Sequence, residues 1–201
     1  MTFDELMSIL MSLRPSYYIK KNEAAIFEMI PELKECKGFE QHSKWHIYDV
    51  YEHILHVIEN VPCNSIMRLA ALFHDLGKPA TYVLDEQGRG HFPNHNVVSL
   101  KIFHNFAEKY IKYDKETIDI ISKLIYYHDF DFNKKNYETK DAIDDIGYYY
   151  MILLFRLKEA DLKAQSPEFH YLLDEYKKQY YMIMASDNKR ESNPLLQKRL
   201  F

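Results

Sequence analysis

Residues 65–79 read Ser-Ile-Met-Arg-Leu-Ala-Ala-Leu-Phe-His-Asp-Leu-Gly-Lys-Pro. From Ile66 to Phe73 the run is apolar except for Arg68. It leaves no polar stripe for solvent, so it predicts a helix over 65–75 buried on most sides. His74 and Asp75 fall at the end of that run. A carboxylate taken out of water costs several kcal/mol unless something compensates it. A His–Asp pair that merely closes a helix is the bland explanation. The continuation to Gly77 and Lys78 adds to it: Gly77 is expected to take the left-handed geometry of a helix C-cap, which delivers Lys78 beside the carboxylate.

Moving outward, the chain reads as helices. Residues 3–13 place Phe3, Leu6, Met7, Leu10 and Leu13 at helical spacing, and Arg14-Pro15 ends that run. A helix over 22–33 has Asn22 as its expected N-cap. Another over about 47–60 starts near Asp49, carries Val50, Ile54, Val57 and Val61 on one face, and stops at Pro62. After the central run the pattern changes. Thr81 to Leu84 and Gly90 to Phe92 flank Asp85-Glu-Gln-Gly88, the signature of a small hairpin. Helices are expected again at about 96–112, 115–127, 147–164 and 168–186. Residues 130–146, rich in Asp, Asn and Lys, read as a surface loop with at most a short helix, and the acids Asp141, Asp144 and Asp145 as a solvated face. The expectation is all-α: one compact helical domain over 1–186 with a core at about 25–165, one hairpin, and a flexible tail at 187–201 that contains Pro194.

Bulk properties narrow the function. The chain has 201 residues, 47% hydrophobic and 28% charged, as in an ordinary globular protein. A net charge of −4 gives no strong drive toward nucleic acid or an anionic membrane. Five glycines argue against a loop-rich or β-rich architecture. Cys36 and Cys63 form no CxxC pair and suggest neither a disulfide framework nor a zinc ribbon. The first eighteen residues carry early acids and no long apolar run, so neither a signal peptide nor a membrane span is expected and the default location is cytoplasmic.

A divalent metal would resolve the burial of Asp75. Such an ion needs imidazoles and at least one carboxylate on rigid elements. His53 on the preceding helix, His74, Asp75 and Asp161 in the late helix can supply four ligands. Asp161 stands out because Ile152, Leu153, Leu154 and Phe155 precede it. His95, opening the helix after the hairpin, and His128, ending another, sit at helix termini, where ligands or phosphate can be aimed.

The order His53, His74-Asp75, His95, His128, Asp161 resembles the HD superfamily of metal-dependent phosphohydrolases. Gly38-Phe-Glu-Gln41, Trp45 to His53, Arg68 to Pro79, Gly88 to Phe92 and Arg156 to Asp161 resemble more narrowly the HD region of bacterial CCA-adding tRNA nucleotidyltransferases, over about residues 25–165. The residues before Phe39 are too few for the polymerase head of those enzymes, so nucleotide addition is not expected. The resemblance implies a helical bundle in which His53, His74, Asp75 and Asp161 hold a metal. Asp75 would bridge ions or orient water, and His95 and His128 would bind a second metal or face phosphate. Mixed imidazole and carboxylate ligands suit manganese, nickel, cobalt, iron or zinc, as one or two ions. Lys78 is expected to meet substrate phosphate as a point charge, with an exposed lysine past a helix end as the bland alternative.

Arg156, about 140° around the helix from Asp161, is left outside the site. His46 and His56 are expected to be structural, and His42, His91, His104 and His170 to be surface or packing residues. The expected reaction is hydrolysis of a phosphate ester: a nucleotide, a cyclic nucleotide, or an RNA end with a cyclic phosphate. Two other classes stay open, a mixed-valent di-iron oxygenase and a non-catalytic module that binds RNA or a partner.

Overall fold

The computed structural model describes residues 1–132 and 137–187. Of the expected tail at 187–201, Asp187 ends the last helix and the rest, with Pro194, lies outside the described residues. The centre is α6 (Ser65–Phe73), in which every residue from Met67 to Phe73 is buried. Arg68 is tolerated there because its guanidinium donates to the Ile58 carbonyl. Asn64 caps this helix, its side chain accepting from the Met67 amide at 3.2 Å. Around α6 pack α5 (Val50–Asn60), α8 (His95–Tyr110), α9 (Lys115–Tyr127) and α11 (Tyr148–Lys163). Asp49 starts α5, accepting from the Glu52 amide at 2.7 Å, as its position in the sequence suggests. The hairpin β1 (Val83–Leu84) and β2 (Gly90–His91) pairs antiparallel, with Val83 opposite His91.

Several elements differ from expectation. The first helix, α1 (Phe3–Leu10), opens on a capping box between Thr2 and Glu5 and stops early, leaving Leu13 97% exposed. Pro15 does more than end a run. It sits at the first position of α2 (Pro15–Lys21), where its missing amide costs nothing. The helix expected over 22–33 is two, α3 (Glu23–Met29) and α4 (Pro31–Cys36), because Pro31 breaks the ladder. Asn22 does not cap α3 with its side chain; its amide donates to the Tyr18 carbonyl at 2.9 Å and closes α2.

The segment read as a surface loop holds α10 (Tyr137–Ile146), with Ala142, Ile143 and Ile146 buried. Those three positions form a narrow apolar stripe that the surrounding acids mask in the sequence. Gly77 is not left-handed either: its φ is −79°. The glycine is required for close approach. A Cβ there would meet the His95 carbonyl, and the Ser99 amide nitrogen at 2.8 Å. Because Gly77 has none, the short α7 (Lys78–Thr81) can lie against the first turn of α8.

At the far end, α12 (Leu172–Asp187) packs on α11. The strap 39–49 between α4 and α5 is pinned to the end of α11. The Ser166 amide donates to the Trp45 carbonyl at 2.8 Å, and Trp45 stacks on Phe169 at 3.6 Å. Buried apolar residues from Leu6 to Ile183 form one connected core. Among the described residues no helix is long and apolar enough to cross a membrane.

Candidate metal centre

Five elements aim side chains at one point. His53 comes from α5, and His74 and Asp75 from the turn after α6. His95 is the first residue of α8, His128 directly follows α9, and Asp161 lies on α11. All six are buried, His53 and His74 completely. The sequence-predicted set is therefore brought together, from positions up to 108 residues apart in the chain.

Each histidine is held in the same way. Nδ1 faces a backbone carbonyl: Ala164 for His53 at 3.4 Å, Ala71 for His74 at 2.8 Å, Phe92 for His95 at 2.9 Å and Ile125 for His128 at 2.7 Å. A carbonyl can only accept, so these contacts place a proton on Nδ1 and aim Nε2 inward. In the neutral ring Nε2 is then a bare lone pair, the form a metal ligand needs.

The inward atoms fall into two groups that share Asp75. Its Oδ2 lies 3.3 Å from Nε2 of both His53 and His74, and the His53 nitrogen is 3.0 Å from Asp161 Oδ1. Its Oδ1 lies 3.2 Å from His95 Nε2 and 3.5 Å from His128 Nε2. Those two nitrogens are 3.1 Å apart. Two donors on one ion, each at about 2.0–2.2 Å, stand about 3.0–3.5 Å from each other. Asp75 thus turns one oxygen to an inner group and the other to an outer group, and the donor atoms of each triad lie within 4.8 Å of one another.

A cation fits this arrangement. His74 Nε2 and Asp75 Oδ1 are buried atoms without a hydrogen-bond partner, and such atoms are costly unless something is bound. The charge balance agrees: two buried carboxylates, Asp75 and Asp161, face one ammonium, Lys78. Burial would push the carboxyls of Asp75 and Asp161 up, but the neighbouring imidazoles, with Lys78 for Asp75, hold both well below the usual range. Burial would likewise push His53 down, yet the Asp161 and Asp75 carboxylates hold it up at about 9. Burial wins at His74, which is lowered. In the metal-free protein a proton on His53 takes the place a cation would fill.

Lys78 is not an exposed lysine. It is buried, with Nζ 2.7 Å from Asp75 Oδ2, 2.9 Å from Gln41 Oε1 and 5.3 Å from the centre of the Phe92 ring. Gln41 itself is buried and donates to the Tyr48 carbonyl, so the strap fixes the ammonium. His46, on the same strap, packs edge-on to His53 with ring centres 5.2 Å apart. Burial, with the Lys78 and His53 charges, pushes it down to about 3, so it stays neutral. His56 instead stacks on Tyr48. Arg156 pairs with Glu159 at 3.0 Å and takes no part.

The cluster opens into a cavity of about 780 Å³, with Asp75, Lys78, His95 and His128 on its floor and Asp141 and Asp145 of α10 on its wall. Residues 46–165, more than half of the chain, match the HD domain. The chain belongs to the HD domain family. HD domains bind divalent metals, and the His and Asp groups described above could hold one.

The relatives of this HD domain include the CC-adding tRNA nucleotidyltransferase of Thermus thermophilus, 30% identical over 135 residues, which is 62% of this chain and 30% of that protein. The multifunctional CCA protein of Herminiimonas arsenicoxydans is 35% identical over 86 residues, 40% of this chain and 21% of that protein. The A-adding tRNA nucleotidyltransferase of Deinococcus radiodurans is 33% identical over 79 residues, 36% and 18%. The chain spans less than a third of the length of these relatives.

Sequence reading passed over three residues around the cluster. Gln41 was legible only as part of the family likeness. Asp129 adjoins His128 and faces the outer group. Lys158 is a buried lysine that donates to the carbonyls of His128 at 2.7 Å and Phe130 at 3.0 Å. Nothing in sequence separates it from the exposed Lys163.

Proposed function

We propose that this HD domain is a metal-dependent phosphohydrolase that cleaves a phosphate ester of a nucleotide, a cyclic nucleotide or an RNA end. The observation that carries this reading is the shared orientation of four buried imidazoles, each with Nδ1 spent on a carbonyl and Nε2 facing Asp75. His53, His74, Asp75 and Asp161 would hold one divalent ion, and Asp75, His95 and His128 a second. The ligand chemistry suits manganese, iron, cobalt, nickel or zinc. A bound ion would supply a water of lowered pKa and polarise a phosphoryl oxygen.

The chain's own groups do the rest. Lys78, held by Asp75 and Gln41, keeps a fixed positive charge at the floor of the cavity, where a phosphoryl oxygen would sit. The cluster residues are buried, which strengthens each charge interaction among them. Phe92, Tyr126 and Tyr127 line the same cavity and offer faces on which a base can stack. The cavity lies within the usual size range for a small-molecule site. The tRNA enzymes among the relatives support a nucleotide or RNA end as the substrate class.

The test is to purify the protein without chelator, count its metals, and assay bis-p-nitrophenyl phosphate, p-nitrophenyl phosphate and 2′,3′-cyclic AMP with added manganese, nickel, cobalt or zinc. Metal-dependent turnover that disappears in Asp75→Ala is expected. Protein that holds no metal and turns over none of the three would overturn the proposal.

A further inference from the structure

Outside the six predicted residues, the carboxylate of Asp129 also faces the cluster. Asp129 Oδ2 lies 3.5 Å from His95 Nε2, and its Oδ1 lies 4.0 Å from His128 Nε2. Both separations exceed a charge-assisted hydrogen bond, which runs at about 2.7–2.9 Å. Both rings already direct Nδ1 at a carbonyl, so in their neutral forms each turns a lone pair toward the carboxylate. Asp75 Oδ1 points at the same space and is a buried oxygen with no hydrogen-bond partner. Four donor atoms thus converge on one space, the two imidazole nitrogens 3.1 Å apart and a carboxylate oxygen from each of Asp75 and Asp129, an arrangement that a single cation would satisfy at once.

The turn that carries Asp129 is fixed. Lys158, buried on α11, donates to the carbonyls on either side of it, those of His128 and Phe130. Its ammonium also lies 5.3 Å from the centre of the Tyr176 ring of α12. The clamp holds the backbone, while the Asp129 side chain keeps 61% of its surface open toward the cavity. Its carboxylate therefore has room to adjust toward the two imidazoles. The 3.5 Å separation from His95 already matches the spacing of two donors on one ion, about 3.0–3.5 Å.

We propose that Asp129 is a protein ligand of the outer ion, completing a set with Asp75 Oδ1, His95 and His128. This rests on the reading of the cluster as a metal centre. The outer set then holds two carboxylates and two imidazoles, matching the inner set of His53, His74, Asp75 and Asp161 in charge and donor type. Lys158 acts as a positioning residue for the ligand turn.

The test uses the full chain stripped with chelator and titrated with Mn²⁺, with heat and bound metal per chain measured together. Wild type is expected to take two ions. Asp129→Asn is expected to bind the outer ion at least about ten-fold more weakly, the loss typical when a metal site loses a supporting group. The inner ion should bind as in wild type, which also shows that the variant is folded. Asp129→Glu should recover part of the loss, since it restores the carboxylate on a longer arm. Two ions bound with wild-type affinity by Asp129→Asn would overturn the inference and leave the metal centre intact. A wild type that takes one ion would also overturn it, since the outer set is then not a metal site. A wild type that takes none would remove the proposed function as well.

Discussion

Gly77→Ala separates two uses of glycine. The backbone at this position, φ −79° and ψ −11°, is open to any residue, so conformational strain adds nothing to the cost. The penalty is steric. A Cβ would meet the His95 carbonyl, the Ser99 amide nitrogen at 2.8 Å and Val98 Cβ at 2.9 Å. Two of these are backbone atoms at the start of α8 and cannot rotate away, so the Gly77 turn and the start of α8 must move apart. Overpacking of this kind costs about 1–3 kcal/mol. The shift also stretches the buried bond from the Gly77 amide to Ser99 Oγ, 2.8 Å long, worth about 1 kcal/mol.

The total is about 2–4 kcal/mol. At about 2–4 °C per kcal/mol for a chain of this size, the melting temperature should fall by about 5–15 °C. His95 opens α8, so the same displacement should weaken the outer ion. His53 and Asp161, on α5 and α11, should keep the inner one. Thermal melts of chelated protein and a Mn²⁺ titration read both effects. Gly88→Ala is the contrast: Gly88 has φ +72° and open space around it, so its cost is conformational, about 1–2 kcal/mol, with no change in metal binding. A Gly77→Ala melt within about 2 °C of wild type would refute the close-approach argument.

Further outcomes can be checked with the same preparations. Chelation should lower the melting temperature, because an ion at a hundred times its Kd contributes about 2.7 kcal/mol; an unchanged melt in chelator would count against a bound ion. In metal-free protein the raised His53 value, about 9 against 6.5 in the unfolded chain, contributes stability in full below pH about 6.5. That contribution is lost as pH rises toward 9, so chelated protein should melt lower at alkaline pH; a flat or rising profile would contradict the His53–Asp161 pairing. Asp49→Ala removes bonds to the amides of Glu52 and Gly38. It should cost about 1–2 kcal/mol without changing the metal count, and a lost ion would show that the cap also sets the position of His53. Gln41→Leu leaves the buried Lys78 with one fewer acceptor and should destabilise the fold by about 1–3 kcal/mol, which a urea melt can measure.

The sequence by itself determined the helical class, the centrality of the 65–75 run and the six residues that meet at the cluster. It could do so because a buried run of that length and a His-Asp pair in apolar surroundings are local signals, while His53, His95, His128 and Asp161 were joined to that pair by the resemblance of their order to the HD superfamily. The cap on α5 and the hairpin were legible for the same reason: each depends on residues within a few positions. The element α10 was not, since its three buried positions, Ala142, Ile143 and Ile146, lie among acids that dominate any average over the segment.

What only the tertiary structure decided is which ordinary residues the fold places against that centre. Gly77 is a glycine because α8 crosses close to it, and no local pattern reports a crossing. Lys158 is buried because the end of α9 and Tyr176 of α12 enclose it, whereas Lys163, five residues later on the same helix, pairs with Glu159 in solvent. Asp129 faces two imidazoles because His95 arrives from a different helix. Burial, close approach and the convergence of charge are properties of pairs far apart in the chain, and they take values only once the helices have packed.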